Sequence, residues 1–187
     1  KLFDKNDRRR DVTLVRSYTS PLNGRKYGIR YDNPAVPGDS VVFWNKFWDP
    51  AVLSTPGESA ANVHIIRYSD ILLIHAEAEN ELNGPTEKAY RSINIVRRRA
   101  GLADLPKGLT KDQFREAVYL DRRLEFCFEY SRWFDLIRQK DATGTSTFVR
   151  NLHEVGKTNA SDKHRLYPIP QSEIDNNPLL TQNPEWE

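Results

Sequence analysis

The strongest constraint on the fold is a stretch of 34 residues, 67–100, in which two apolar runs with helical spacing flank one break. The first run has apolar stripes on two faces of a helix that we expect to start near residue 62. These stripes comprise Ile65, Tyr68, Leu72 and Ala76 on one face and Ile71, Ile74, Ala78 and Leu82 on the other. Two apolar faces predict a helix that is buried on more than one side.

The break is Asn83-Gly84-Pro85, which predicts a helix end, and Pro85 suits the first turn of the following helix. That second helix has one apolar stripe, which consists of Ala89, Ile93, Val96 and Ala100. Arginines 97–99 fill its last turn, and Gly101 suits the position after its end. The pair has the length of one tetratricopeptide repeat, and a lone repeat cannot bury its own faces. We therefore expect its neighbouring repeats in a part of the parent protein outside this chain.

A third helix is predicted to begin at Thr110, because Thr110 and Gln113 have the spacing of a capping box. Apolar residues with helical spacing follow and continue through Ile137. The sequence thus predicts a mainly α fold, with a tetratricopeptide-like helical hairpin, a further helix, irregular loops and a few short strands.

Composition divides this single domain into three parts. Residues 1–61 are loop-rich and aromatic, and their turn-forming Asn-Gly, Asn-Pro and Pro-Gly pairs separate short β-prone runs. Residues 62–140 are the helical part. Residues 141–187 comprise a polar loop and a proline-punctuated tail, which we expect to wrap over other elements because residues before proline favour extended conformations. The β-prone runs are residues 12–18, 26–31 and 40–48.

The charge balance argues against several classes of protein. The chain has 28 Lys+Arg and 26 Asp+Glu, a net charge of +2, which does not suit neutralisation of a nucleic acid despite the arginine runs at 8–10 and 97–99. No apolar run is long enough to span a bilayer as a helix. Cys127, the only cysteine, lies in an apolar stretch and is expected to be an inert, buried thiol. The absence of methionine favours a processed product or an excised fragment.

No catalytic or cofactor motif is present. The chain has no HExxH pattern, nucleophile elbow, P-loop or GxGxxG sequence. A glycoside hydrolase would need two carboxylates facing each other across a cleft. Glu125 and Glu129 share a helix face, but we interpret them as structural ion-pair partners that tie the third helix to its neighbours. We therefore predict no enzyme activity, no metal and no cofactor.

The aromatic residues of the loop-rich part are the most suggestive feature for binding, since flat rings on loops can stack on sugars. They are Tyr18, Tyr27, Tyr31, Phe43, Trp44, Phe47 and Trp48. The alternative is that they fill the core beneath the loops. A strand over residues 40–48 would place rings on both faces, with Trp44 on one face and Phe47 on the other, so some must be core.

Five segments together resemble the SusD/RagB family. Residues 67–82 (RYSDILLIHAEAENEL), 93–102 (INIVRRRAGL) and 121–138 (DRRLEFCFEYSRWFDLIR) resemble its helical signatures. Residues 4–13 (DKNDRRRDVT) and 166–186 (LYPIPQSEIDNNPLLTQNPEW) are similar to the opening and the end of its C-terminal region. The chain departs from the family pattern at Tyr130, where the family usually has Gly, and at Glu185-Trp186, where it has Gly-Tyr.

The resemblance implies a non-catalytic lipoprotein on the outer face of the outer membrane, anchored through a lipid on the part of the protein that precedes this chain. Its partners would be a glycan ligand and a SusC-like TonB-dependent transporter, with no nucleic acid. Within this chain, Trp44, Tyr31 and Tyr27 are the candidate stacking residues. The motif rings Trp133, Phe134 and Tyr68 are expected in the core. The alternative is a peptide- or protein-binding helical scaffold of the same uptake complex, without affinity for sugars.

Overall fold

The computed structural model describes residues 2–15, 17–19, 24, 26–28, 43–47, 49 and 59–186. It is mainly helical, as the sequence predicts. The chain is divided into two compact units, Lys1–Tyr130 and Ser131–Glu187. None of the helices in the described part is long and apolar enough to cross a membrane.

The elements follow one another in a simple order. The helices are α1 (Arg8–Thr13), α2 (Tyr68–Asn83), α3 (Glu87–Arg99), α4 (Lys111–Glu125), α5 (Arg132–Arg138), α6 (Phe148–His153) and α7 (Gln171–Asn176), with a 3-10 turn at Asp162–Arg165. The strands are β1 (Leu14–Val15), β2 (Ser17–Thr19), β3 (Lys26–Gly28) and β4 (Phe43–Trp44). They form two antiparallel ladders, β1 with β4 and β2 with β3.

Helices α2 and α3 form the predicted hairpin. Gly84, with a φ of 79°, ends α2, and the Thr86 hydroxyl accepts a hydrogen bond from the backbone of Ala89 at the start of α3. Two details of the prediction are wrong. Helix α2 begins at Tyr68 rather than near residue 62, and Pro85 precedes the N-cap instead of lying in the first turn.

The core of the first unit lies between α2, α3 and α4. The stripe of α3 is buried as predicted, and it packs with Leu73 and Ala76 of α2 and with Phe114 and Val118 of α4. The second stripe of α2 is exposed instead, so the prediction of burial on two sides is wrong for this chain. Its exposed members include Ile71, Ile74 and Leu82, and Leu82 is 81% exposed.

The capping box at Thr110 and Gln113 is present, so the predicted start of the third helix is confirmed. The predicted continuation to Ile137 is wrong. Helix α4 ends at Glu125, and a turn follows in which Phe128 and Tyr130 have φ values of 63°. These left-handed residues cannot continue a right-handed helix, so α5 starts anew at Arg132.

The beginning of the chain contains a helix that the sequence did not predict. The Asp7 side chain accepts a hydrogen bond from the backbone of Arg9 and so caps α1. This helix includes the first residues of the β-prone run 12–18. Short strands do form in all three β-prone runs. In the run 40–48, Phe47 has a φ of 62°, so the alternation of side chains between the two faces that a long strand would give stops before Phe47. Val42 and Trp48 lie outside the described residues.

The second unit is organised around Trp133 of α5. The Trp133 ring packs edge-on against buried Phe148 of α6 and contacts Tyr167 of the tail. The Trp186 indole donates a hydrogen bond to the Leu166 carbonyl, so the tail folds over itself, with short helical turns that were not predicted. Phe134 is 65% exposed, and Tyr68 in the first unit is 71% exposed, so their assignment to the core is wrong.

Candidate functional site

Two of the three predicted stacking residues, Trp44 and Tyr27, lie on the two ladders of the first unit. The backbone of Trp44 pairs with that of Leu14, and the backbone of Tyr27 pairs with that of Tyr18. Tyr31 lies outside the described residues. A role in ligand stacking therefore stays a prediction for Trp44, Tyr27 and Tyr31.

Beside the strand that carries Trp44, the structure has a cavity of about 290 Å³. The turn after β4 contributes Lys46, and the preceding backbone N–H of Asn45 donates to the Thr13 carbonyl at 3.0 Å. Five cationic side chains and two carboxylates line the cavity, which leaves a net charge of +3 on its walls. These charged residues are Arg8, Arg9, Lys46, Arg67, Arg99, Glu125 and Glu129.

A buried chain of ion pairs holds one wall of the cavity. Arg9 binds Asp7 with Nε and Nη2, at 2.9 and 2.7 Å, and the same Nη2 donates to Asp121 Oδ1 at 2.9 Å. The second carboxylate oxygen of Asp121 accepts from Arg97 Nη1 at 2.9 Å. Because each carboxylate is at most 2% exposed, these charges are compensated by one another rather than by water.

Glu125 is the central carboxylate of the second wall. It accepts hydrogen bonds from Arg67 Nη1 at 2.9 Å and from Arg99 Nη2, and Arg9 Nη1 lies 3.6 Å from it. Burial acts to raise the pKa of Glu125, but the hydrogen bonds and charges of Arg99 and Arg67 outweigh it and lower the pKa to about 2. Glu125 is therefore a permanent anion that neutralises its arginines, in contrast to a general acid.

Glu129 extends this wall to the strand segment. Arg67 binds it through Nε and Nη2, at 2.8 and 2.9 Å, and Lys46 Nζ donates to the same carboxylate and to the Glu125 carbonyl. The prediction that Glu125 and Glu129 are structural ion-pair partners is confirmed. The shared helix face is wrong, because α4 ends at Glu125 and Glu129 lies in the turn that follows. Four of the segments that carry the family resemblance meet here, through Arg9, Arg67, Arg99 and these two carboxylates.

Two aromatic rings lie next to these residues along the chain. Phe47 follows Lys46, Tyr130 follows Glu129, and the two rings stack with centroids 6.5 Å apart and planes inclined by 21°. Tyr130 is 79% exposed. Nothing in the sequence pointed to this pair except that Tyr130 replaces a glycine of the family pattern.

Cys127 and His75 lie at packed positions in the first unit. Burial raises the pKa of the Cys127 thiol, which agrees with an inert residue, although the residue is half-buried in the turn after α4 rather than inside a helix. His75 Nδ1 shares a hydrogen bond with the Ser92 hydroxyl between α2 and α3. Within the described ranges, no group of three His, Cys, Asp or Glu residues could hold a metal ion.

Comparison with known proteins places this geometry in one family. The model of the SusD family matches residues 1–186. SusD-like protein P2 of Formosa agariphila is 30% identical over 196 residues, which cover 98% of this chain and 38% of that protein.

Solved structures agree with this match. A SusD superfamily protein from Parabacteroides distasonis has 28% identity and a TM-score of 0.76 over 99% of this chain and 40% of its own. Surface glycan-binding protein A from Bacteroides uniformis has 29% identity and a TM-score of 0.68 over 97% of this chain and 38% of its own. The chain thus spans about two fifths of the length of these proteins.

Proposed function

The chain belongs to the SusD family, and from this premise we propose that it is a non-catalytic part of a surface protein that binds oligosaccharides or polysaccharides. The protein would deliver them to a SusC-like TonB-dependent transporter in the outer membrane. The observation that carries the proposal is the family match over residues 1–186. It is supported by the similarity to a protein of Bacteroides uniformis that is named for glycan binding at the surface.

The site geometry supports binding rather than catalysis. The carboxylates of the cavity are committed to arginines, and the low pKa of Glu125 removes it as a proton donor near neutral pH. A protein that passes its ligand to a channel needs moderate affinity, and a few ring stacks, each of about 1 kcal/mol, supply it. We propose Trp44, Tyr27 and Tyr31 as such stacking residues. The proposed location is the cell surface, with the full-length protein held to the outer membrane by a lipid anchor.

Affinity gel electrophoresis against a polysaccharide panel tests this function. A glycan cast into the gel should retard the wild-type chain, and Trp44→Ala should abolish the retardation. Tyr68→Ala is the matched control, because it removes an exposed ring from the first turn of α2 and should not change the mobility. Circular dichroism must show that all three chains are folded.

A second function, a helical scaffold that binds peptide or protein, is favoured by the exposed apolar stripe of α2. Three residues lie along one face of this helix and are about half exposed or more: Ile71, Ile74 and Leu82. Contiguous exposed apolar surface is typical of contact with another polypeptide. A folded wild-type chain that no glycan retards would contradict the glycan proposal and favour the scaffold.

A further inference from the structure

The stacked rings of Phe47 and Tyr130 have an unusual backbone. Their φ values are 62° and 63°, which lie in the left-handed region that bulky side chains rarely adopt. Such outliers are retained where the surrounding structure enforces them, and they cluster at ligand contacts. Tyr130 remains 79% exposed in spite of this conformation, so burial of its ring does not explain it.

The neighbours of the two rings are polar and preorganised. Lys46 and Glu129 directly precede Phe47 and Tyr130, and their side chains form an ion pair that Arg67 also contacts. A flat apolar surface beside fixed charged donors and acceptors matches a sugar ring, which has an apolar face and a rim of hydroxyl groups.

We propose that the Phe47–Tyr130 pair is a stacking subsite for a sugar unit. This inference rests on the proposed glycan-binding function and adds a second location to the predicted stacking residues. The exposed Tyr130 would supply the stacking face, with Phe47 stacked against the opposite face of its ring. The Lys46–Glu129 pair would bind hydroxyl groups of the same sugar.

The cavity beside the pair adds a preference for charge. Lys46 and Glu129 belong both to the flank of the rings and to the cavity wall. Of the five cationic side chains on this wall, Arg9 is compensated by Asp7 and Asp121, while Arg67, Arg99 and Lys46 bind Glu125 or Glu129. Within the described part of the chain, the Arg8 guanidinium at this wall has no ion-pair partner, and its side chain lies over Gly101. Because guanidinium groups bind oxyanions strongly, the subsite favours a sugar that carries a carboxylate or a sulfate ester.

Affinity electrophoresis of the whole chain tests the ring pair, with alginate and carrageenan as acidic probes and laminarin as the neutral probe. Tyr130→Gly removes the ring and places glycine where φ is positive, so we expect a folded protein whose affinity falls about tenfold. Glu185→Gly is the matched control, because Glu185 also has a positive φ but belongs to the second unit. If glycine disturbs the fold, Tyr130→Asn gives the same test, since Asn tolerates this conformation.

A separate variant tests the preference for acidic sugars. Arg8→Gln should lower the ratio of alginate or carrageenan affinity to laminarin affinity about tenfold. Arg91→Gln removes an exposed arginine of α3 away from this cavity and should leave the ratio at its wild-type value.

The outcomes separate the inference from the function on which it rests. Retention of an acidic glycan that falls in Tyr130→Gly but not in Glu185→Gly supports the subsite. Wild-type retention that is unchanged in Tyr130→Gly overturns the subsite and leaves glycan binding standing. Equal affinity for acidic and neutral probes overturns the charge preference. A folded wild-type chain that no probe retards overturns the subsite and contradicts the proposed function.

Discussion

Arg9 and Asp121, which are 112 positions apart in the chain, form a buried ion pair with Arg9 Nη2 at 2.9 Å from Asp121 Oδ1. The contact fastens α1 to α4, and Asp7 and Arg97 complete the charge balance on either side. It gives a six-residue helix, too short to be stable alone, a fixed place beside the cavity. The charged segments of the sequence therefore build the wall of the candidate site.

Removal of Asp121 should be strongly destabilising. Asp121→Ala leaves Arg9 and Arg97 without this carboxylate in a buried place, and such a loss costs about 3–5 kcal/mol of unfolding free energy. Urea unfolding followed by circular dichroism measures it. Asp104→Ala is the control, because it breaks an exposed pair with Arg98 and should change the stability far less. Equal losses in the two variants would contradict a structural role for the buried pair.

The low pKa of Glu125 predicts how stability depends on pH. The pKa is about 2 in the folded chain and 4.5 ordinarily, so the carboxylate stabilises the fold fully above about pH 4.5. As the pH falls from there towards 2, about 3 kcal/mol of this stabilisation is lost. Urea unfolding at a series of pH values should show the decline.

Glu125→Gln should remove that part of the pH dependence and lower the stability at neutral pH, because Arg67 and Arg99 lose a charged acceptor. Glu116→Gln removes an exposed carboxylate of the same helix and should leave the neutral stability close to wild type. A Glu125→Gln curve that is parallel to wild type between pH 4.5 and 2 would exclude the assigned role.

Two leucines of α2, one buried and one exposed, should differ in their effect on stability. Leu73 is fully buried against α3 and α4, so Leu73→Ala should cost about 2–5 kcal/mol. Leu82 has the same side chain on the same helix but is exposed, so Leu82→Ala should have little effect. Thermal and urea unfolding of both variants measure the difference. A stability loss in Leu82→Ala that is comparable to the loss in Leu73→Ala would show that the face of Leu82 is covered in the isolated chain.

Local signals in the sequence predicted local structure well. The capping box at Thr110 and Gln113, the stripe of α3 and the end of α2 at Gly84 each depend on residues within one or two turns. Periodicity showed that α2 has two apolar faces, but it carries no information on which face a neighbour covers. Tyr68 and Phe134 were assigned to the core because they lie in motifs of the family resemblance, but a motif does not show whether a neighbour covers the ring, and both are exposed.

The candidate site depends on contacts that are distant in sequence. Lys46 and Glu129 are 83 positions apart, and no spacing rule connects them. The break after α4 was missed because Phe128 and Tyr130 are ordinary residues in an apolar period, whereas their left-handed backbone is visible only in the structure. The one feature of the sequence that could have indicated this turn was the replacement of a family glycine by Tyr130.

The second replacement of a family glycine, Glu185, predicts a stabilising substitution. Its φ is 66°, and its side chain is exposed, while its carbonyl accepts a hydrogen bond from Lys163 that any residue would preserve. Because an L-residue is strained in this region and glycine is not, Glu185→Gly should raise the unfolding free energy by up to about 1 kcal/mol.

The matched control, Glu154→Gly, should change the unfolding free energy in the opposite direction. Glu154 is also exposed, but its φ of −57° and ψ of −25° lie in the right-handed helical region at the end of α6. Glycine gains no relief from strain there and adds freedom to the unfolded chain, so Glu154→Gly should lower the unfolding free energy by about 1 kcal/mol. Thermal unfolding should thus shift upward for Glu185→Gly and downward for Glu154→Gly. Shifts of the same sign would show that backbone strain at Glu185 does not determine its contribution to stability.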